Sequence, residues 1–209
     1  MGAKNRFAGR FGADYQLAQE QLAMKRGVRS HFNNIASFYE AKKKSFYLDL
    51  MKSQVQKYHG RSVIDLGCAS GLALSWVHAD VKVGLDFAID FIKAGHSGIS
   101  YLVADVEHVP FRDATFESAL CLDVLEHLPS FKVVDEAYRL LTKNGVLLLA
   151  VARSKYEWLL DLLEKLNLKL PEGPHRWLSD ELVESALRSA GFNFGKSQKM
   201  HMNFYACIK

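Results

Sequence analysis

The sequence predicts an α/β fold: a doubly wound, mostly parallel sheet covered by helices on both faces. Three observations predict it. Short apolar runs of strand length alternate with helical runs from about residue 61 onward, the pattern of a parallel sheet with crossover helices. Three of those runs end on or near an aspartate, at Asp65, Asp86 and Asp105, where such sheets bind ligands beyond the carboxyl ends of their strands. The chain, 209 residues and 49% hydrophobic, has the length for one domain with an appendage and the apolar content for a substantial core.

Each element has its own warrant. Leu17, Leu22, Val28, Phe32, Ile35 and Phe38, then Phe46, Leu50 and Val55, recur at helical spacing, so residues 13–57 read mostly as helix, with Gly27 breaking the first piece. "RSVIDLG" is a buried strand, "LALSWVHA" a helix and "VKVGLD" the next strand. "FAIDFIKAGH" is helical, "ISYLVAD" a third strand, and "ESALCLDVLEHL" opens as a fourth. "SFKVVDEAYRLLTKNG" is a helix, with Ser130 as N-cap and Gly145 just past its end. "VLLLAVA" is the fifth strand, and "KYEWLLDLLEKLNLKL" is an amphipathic helix. "PEGP" is a linker. "SDELVESALRSAGF" is a helix capped by Ser179 and stopped by Gly191, and strands near 193–199 and 202–208 pair as an antiparallel hairpin at the sheet edge. Residues 1–57 are expected to form a helical cap and residues 58–209 the core, with an inserted helix at about 156–170.

Charge and composition narrow the function. Residues 1–60 carry 11 Lys/Arg and 4 Asp/Glu, a net of +7, while residues 61–209 are net −3. A basic front end on a mildly acidic body predicts anionic company for the N-terminus: phosphate, acidic lipid headgroups or RNA. The start, "MGAKNRFAGRFGADY", lacks the apolar stretch of a secretory signal, and Arg6 stands where a myristoylation motif needs Ser or Thr, so a cytoplasmic location is expected. Cys68, Cys121 and Cys207 are odd in number and far apart, which argues for reduced thiols over disulfides or zinc.

The loop in "VIDLGCASG" is built from small residues, Gly67, Cys68, Ala69, Ser70 and Gly71. Aligned on Gly67, a dinucleotide fingerprint needs glycine at 69 and 72, where Ala69 and Leu72 stand; no P-loop Gly-Lys-Ser/Thr occurs. The acidic residues favour a different ligand. Asp86, at the end of "VGLD", suits two ribose hydroxyls; Asp105 suits an adenine amino group, with Val106 against the ring; Asp65 precedes the loop. Together they want an adenosine with a cationic tail, as in S-adenosyl-L-methionine (SAM).

"VIDLGCASG", "VGLDFA", "YLVADVEHVPF", "FESALCLDVLEHL" and "LLTKNGVLLLA" resemble, in this order, the successive motifs of class I SAM-dependent methyltransferases, and most of all the small-molecule branch of ubiquinone- and menaquinone-pathway enzymes. The resemblance covers about residues 31–192. It implies a seven-stranded Rossmann-like SAM methyltransferase fold with the last strand antiparallel. It implies Gly67, Cys68, Ala69 and Gly71 beneath the methionine moiety, Asp86 with Phe87 at the ribose, and Asp105 with Val106 at the adenine. Leu122 and Asp123 would face the sulfonium. The family loop is D/E-x-G-x-G-x-G, and Ala69 departs from it; Ala69 is expected at negative φ, its methyl turned from the cofactor.

Methyl transfer from a sulfonium releases a neutral group, so alignment and exclusion of water are the main tasks. A hydroxyl acceptor also needs a base, for which His127 and His175 are the candidates. Asp123, Glu126 and His127 spell D-x-x-E-H, close to a metal-binding E-x-x-E-H of some relatives, but no metal is assigned. Tyr39 and Tyr47 before the sheet, and Trp158 and Trp177 after it, are the candidate lining of an apolar acceptor pocket. The expected function is SAM-dependent methylation of a small-molecule or lipid-like acceptor, with peripheral contact to anionic membrane through the basic segment. An RNA methyltransferase and a non-catalytic SAM-binding partner subunit are the alternatives; no base-stacking motif and no N-P-P-Y-type sequence supports nucleic acid.

Overall fold

The structure is a computed structural model that describes residues 19–34, 45–58, 60–156, 158, 159, 162, 165, 166 and 176–209, the first two residues of the second segment by backbone alone. Leu17, Ile35, Phe38, Tyr39, Leu163, the 171–174 linker and His175 lie outside the described residues. A helix over 19–34 (α1) and α2 (Ser45–Val55) precede the sheet. There follow β1 (Ser62–Leu66), α3 (Leu72–Ser75), β2 (Val81–Asp86), α4 (Ile89–Lys93), β3 (Ser100–Val103) and β4 (Phe116–Leu122). The chain ends with α5 (Lys132–Leu140), β5 (Leu141–Ala152), α6 (Asp180–Ala190), β6 (Asn193–Lys199) and β7 (Met202–Ile208).

The seven strands lie in the order β3-β2-β1-β4-β5-β7-β6. All pairs are parallel except those made by β7, which runs antiparallel to β5 and to β6. The expected hairpin at 193–208 is therefore present, with β7 inserted between β5 and the edge strand. Strand alternation sorts the core into two layers. Ile64, Leu147, Leu149 and Val151 face α5 and α6, with Val133, Ala137 and Leu187. Val63, Leu148 and Ala150 face α2 and α3, with Met51, Val55 and Leu74.

Several expected boundaries move. α1 runs through Gly27 unbroken. Glycine inside a helix costs only about 1 kcal/mol, and docking on either side of it, by the Lys25 ion pairs and by buried Val28, offsets that. The helix expected over 72–79 is a single turn; the chain leaves it so that Val77 joins the apolar layer beneath α2. α5 ends at Leu140 rather than near Gly145, because Leu141 already pairs with Phe116. Residues 142–145 bulge out before Val146 pairs with Ser118, with Asn144 at φ +63° and its N–H on the Lys209 carbonyl. Ser130 lies one residue ahead of the N-cap position, where its hydroxyl accepts from the Lys132 amide. The caps of α6 are as expected: Ser179 accepts from the Leu182 amide, and Gly191 is left-handed at φ +100°.

Candidate cofactor site

β1 and β4 lie side by side at the centre of the order, β2 beside β1 and β5 beside β4, so the chain switches direction of winding between β1 and β4. Beyond the carboxyl ends of these strands lies a cavity of about 470 Å³. Its floor is the loop after β1 and the ends of β2 and β4; α1 and α2 roof it, through residues such as Leu22, Val28, Phe32, Leu48 and Met51.

The loop after β1 is a set of hydrogen bonds. The Gly67 and Cys68 amides both donate to the Leu85 carbonyl, at 2.8 and 3.0 Å, and the Gly71 amide closes a turn on the Cys68 carbonyl at 2.8 Å. Gly67 (φ +86°) and Gly71 (φ +80°) occupy the left-handed region, and side chains there would collide with Val124 and with the Tyr101 hydroxyl, respectively. Tyr101 explains that closeness: its hydroxyl donates to the Ser70 carbonyl at 2.6 Å and so holds the loop from below.

Ala69 overturns the expectation of negative φ. It stands at φ +49°. As the second residue of the turn closed by Gly71, it takes the conformation for which glycine is the usual choice. The physical cause is Asp86. Its Oδ2 accepts the Ala69 amide at 2.9 Å and its Oδ1 the Ala88 amide at 2.8 Å, so one carboxylate clamps the loop to the end of β2. Burial pushes the Asp86 carboxyl up, against the amides of Ala88, Ala69 and Phe87, which favour the charged form. Asp123, at the end of β4, is also left-handed, at φ +57°. Two non-glycine residues in that region at one cavity mark a site whose geometry is imposed by its surroundings.

Four carboxylates, those of Asp65, Asp86, Asp105 and Asp123, line this cavity. Asp105 is held by α1: Lys25 Nζ lies 2.6 Å from its Oδ2 and 2.5 Å from Glu107 Oε2. Burial would raise the Asp105 carboxyl, but the Lys25 hydrogen bond, the Glu107 amide and the Lys25 charge outweigh it and hold the group below its ordinary value. Asp123 accepts a hydrogen bond from the Tyr47 hydroxyl, and the Tyr47 ring stacks on His201 with centroids 5.9 Å apart. His127 is buried in the cavity wall, edge-on to Phe32 at 5.1 Å. Burial, and after it the Asp65 and Asp86 charges, push the Cys68 thiol far up, which disfavours the thiolate.

Residues 64–149 match the family model described as a methyltransferase domain. A ubiquinone biosynthesis O-methyltransferase of Paraburkholderia phymatum is 28% identical over 63% of this chain and 64% of its own length. A tRNA (carboxymethyluridine(34)-5-O)-methyltransferase of Arabidopsis thaliana is 28% identical over 47% of this chain and 26% of its own length. In fold, the chain is similar to a SAM-dependent methyltransferase, possible histamine N-methyltransferase, of Thermotoga maritima, with a TM-score of 0.67, 18% identity, and coverage of 87% and 99% of the two chains. Residues 64–149 are thus a methyltransferase domain, and the chain is similar to SAM-dependent methyltransferases in sequence and in fold. It spans about half the length of the curated relatives it matches first.

The methyltransferase cavity suits SAM, the donor that its family implies, on the chemistry of its donors. A pyrophosphate would be repelled by the floor carboxylates of Asp65, Asp86 and Asp123, whereas a sulfonium and an ammonium complement them; the lining cations, Lys25, Arg26 and Arg29, all stand on α1 in the roof. With the Ala69 and Ala88 amides on its two oxygens, the Asp86 carboxylate keeps acceptor capacity for a ribose hydroxyl. Of the residues expected at the cofactor, Asp65, Gly67, Cys68, Ala69, Asp86, Phe87, Asp105, Val106, Leu122 and Asp123 line the cavity. Gly71 does not; it makes room for Tyr101. Tyr47 lines it, but Trp177 and Trp158 do not, and Trp158 is 67% exposed. Sequence reasoning missed Lys25 and the Tyr47–Asp123 pair. The spacing of Asp105 and Glu107 demands a cation, but nothing local says which one arrives. Among the described residues no cluster of His, Cys, Asp and Glu has the makings of a metal site, and no helix is long and apolar enough to cross a membrane.

Proposed function

We propose that the protein transfers the methyl group of SAM to a small-molecule or lipid-like acceptor. The observation that carries this reading is the cavity itself: carboxylates at its floor, an apolar roof, and a volume of about 470 Å³ that leaves space beside a nucleoside. SAM, when bound, supplies an electrophilic methyl on a sulfonium whose departure leaves a neutral thioether. Asp86 would hold the ribose and Asp105 the adenine amine, while Leu22, Phe32 and Met51 exclude water. Met51, Trp76, Leu122 and Tyr47 surround the end near Asp123 and would line the acceptor space. For a hydroxyl acceptor, the Asp123 carboxylate with its Tyr47 partner receives the proton, and His127 is the second candidate. His175 stays in the reading as an expectation only.

Arg26 and Arg29 are exposed on α1 and stand at the cavity wall. They would meet an anionic acceptor or anionic lipid headgroups around a lipid-borne one, and they are the specific observation that favours the second reading, an RNA acceptor. The test is calorimetric titration with S-adenosylhomocysteine (SAH), followed by transfer of labelled methyl from SAM to lipid extracts, small metabolites and RNA. Label in the first or second pool supports the reading; label in RNA alone replaces it. SAH binding with no label anywhere makes the protein a non-catalytic SAM-binding subunit.

A further inference from the structure

Glu107 is buried, at 5% exposure, and its two oxygens are both engaged: Oε1 accepts from the Ser130 hydroxyl at 2.5 Å, and Oε2 is paired with Lys25 at 2.5 Å. A buried carboxylate without a cation is costly, so whatever holds Glu107 is held firmly in return. A second cation lies near. The Arg176 backbone amide is tethered to the Glu126 carbonyl at 2.8 Å, in the turn that forms the cavity wall at His127. Its guanidinium sits over the Phe131 ring at 5.7 Å, and its Nε and Nη2 are buried with no hydrogen-bond partner among the described residues. Glu107 lies close by: the Ser130 hydroxyl it binds belongs to the residue next to Phe131, the ring under the guanidinium. Unused guanidinium donors in a buried place are expensive to leave unmade.

We propose that Glu107 is shared between two cations, and that the exchange of Lys25 for Arg176 on its carboxylate releases α1 from the adenine end of the cavity. In the closed arrangement Lys25 bridges Asp105 and Glu107 and clamps α1 over the site. When Lys25 withdraws, Arg176 turns its idle donors to Glu107, so the buried charge is never abandoned, and Asp105 is left open to an adenine amine. Lys25 is thus a positioning residue: it sets when the cofactor can enter and leave. The inference rests on the cofactor reading above for its role, but not for its existence.

The test is hydrogen exchange of α1 in the ligand-free full chain, together with stopped-flow SAH binding and release, for the parent protein, Lys25→Met, Lys25→Arg and Arg176→Met. Lys25→Met should speed exchange over residues 19–34 and SAH release by about tenfold or more, with the strands unchanged. Lys25→Arg should restore both. Arg176→Met should slow α1 exchange and slow SAH association and release together, leaving the affinity near the parent value; a purely structural role would weaken affinity instead. Unchanged α1 exchange in Lys25→Met overturns the clamp, and unchanged or faster exchange in Arg176→Met overturns the handover. A parent protein that binds no SAH refutes the cofactor reading, while the ligand-free exchange still decides the rest.

Discussion

The two helices that roof the cavity are fastened by different physics. α2 is sunk into the core: Met51 and Val55 are buried among Val63, Leu74, Leu120, Leu148 and Phe204. α1 is fastened mainly by charge. Lys25 reaches two carboxylates, Asn33 bonds the Asp90 amide, and Val28 and Phe32 supply its apolar contacts. Area-driven burial is indifferent to modest salt, whereas ion pairs are weakened by salt and by protonation. One roof therefore belongs to the fold and the other is detachable, and the detachable one stands over the carboxylate expected at the adenine.

The largest effect should come from breaking the fixed roof. Met51→Ala should cost about 2–5 kcal/mol of global stability, read from denaturant unfolding, since it empties a buried site between α2 and the sheet. A loss below about 1 kcal/mol would mean that α2 is as loosely held as α1.

Asp86→Ala strikes beneath both roofs. It removes the clamp on the loop and the acceptor for the ribose, so SAH affinity should fall by about 1.5–3 kcal/mol by calorimetry. Unchanged affinity in a folded variant would displace the cofactor from the end of β2.

Acid should loosen α1 before it loosens α2. The Asp105 carboxyl is held below its ordinary value in the fold, so its contribution is whole above about pH 4 and fades as pH falls through the lowered value. Hydrogen exchange over 19–34 should rise in that window while residues 51–55 stay protected; equal loss of both would remove the contrast.

Ala69→Gly is the smallest change. It relieves a left-handed alanine but adds freedom to the unfolded chain, for a net gain of under about 1 kcal/mol. Ala69→Val should destroy SAH binding, because a branched side chain at φ +49° cannot share the cavity wall. Tight SAH binding by the Val variant would detach residue 69 from the cofactor.

Much of this molecule was legible in the linear sequence. The strand runs at 62–66, 81–86 and 116–122, the caps of α6 and the terminal hairpin all rest on local patterns of apolar spacing, glycine and serine, and these survive packing because they agree with it. The aspartates at the strand ends were legible for the same reason: period and position place them at the mouth of a parallel sheet. What only the tertiary structure decided depends on partners distant in sequence. Ala69 is left-handed because Asp86, 17 residues on, takes its amide. α5 stops at Leu140 because Leu141 is claimed by Phe116 in the neighbouring strand β4. Gly27 does not break its helix because Lys25 is paired with a carboxylate 80 residues away. Local pattern sets which elements form, but a backbone angle, a helix end and a roof over the cavity follow from long-range hydrogen bonds and charges that no window of neighbouring residues contains.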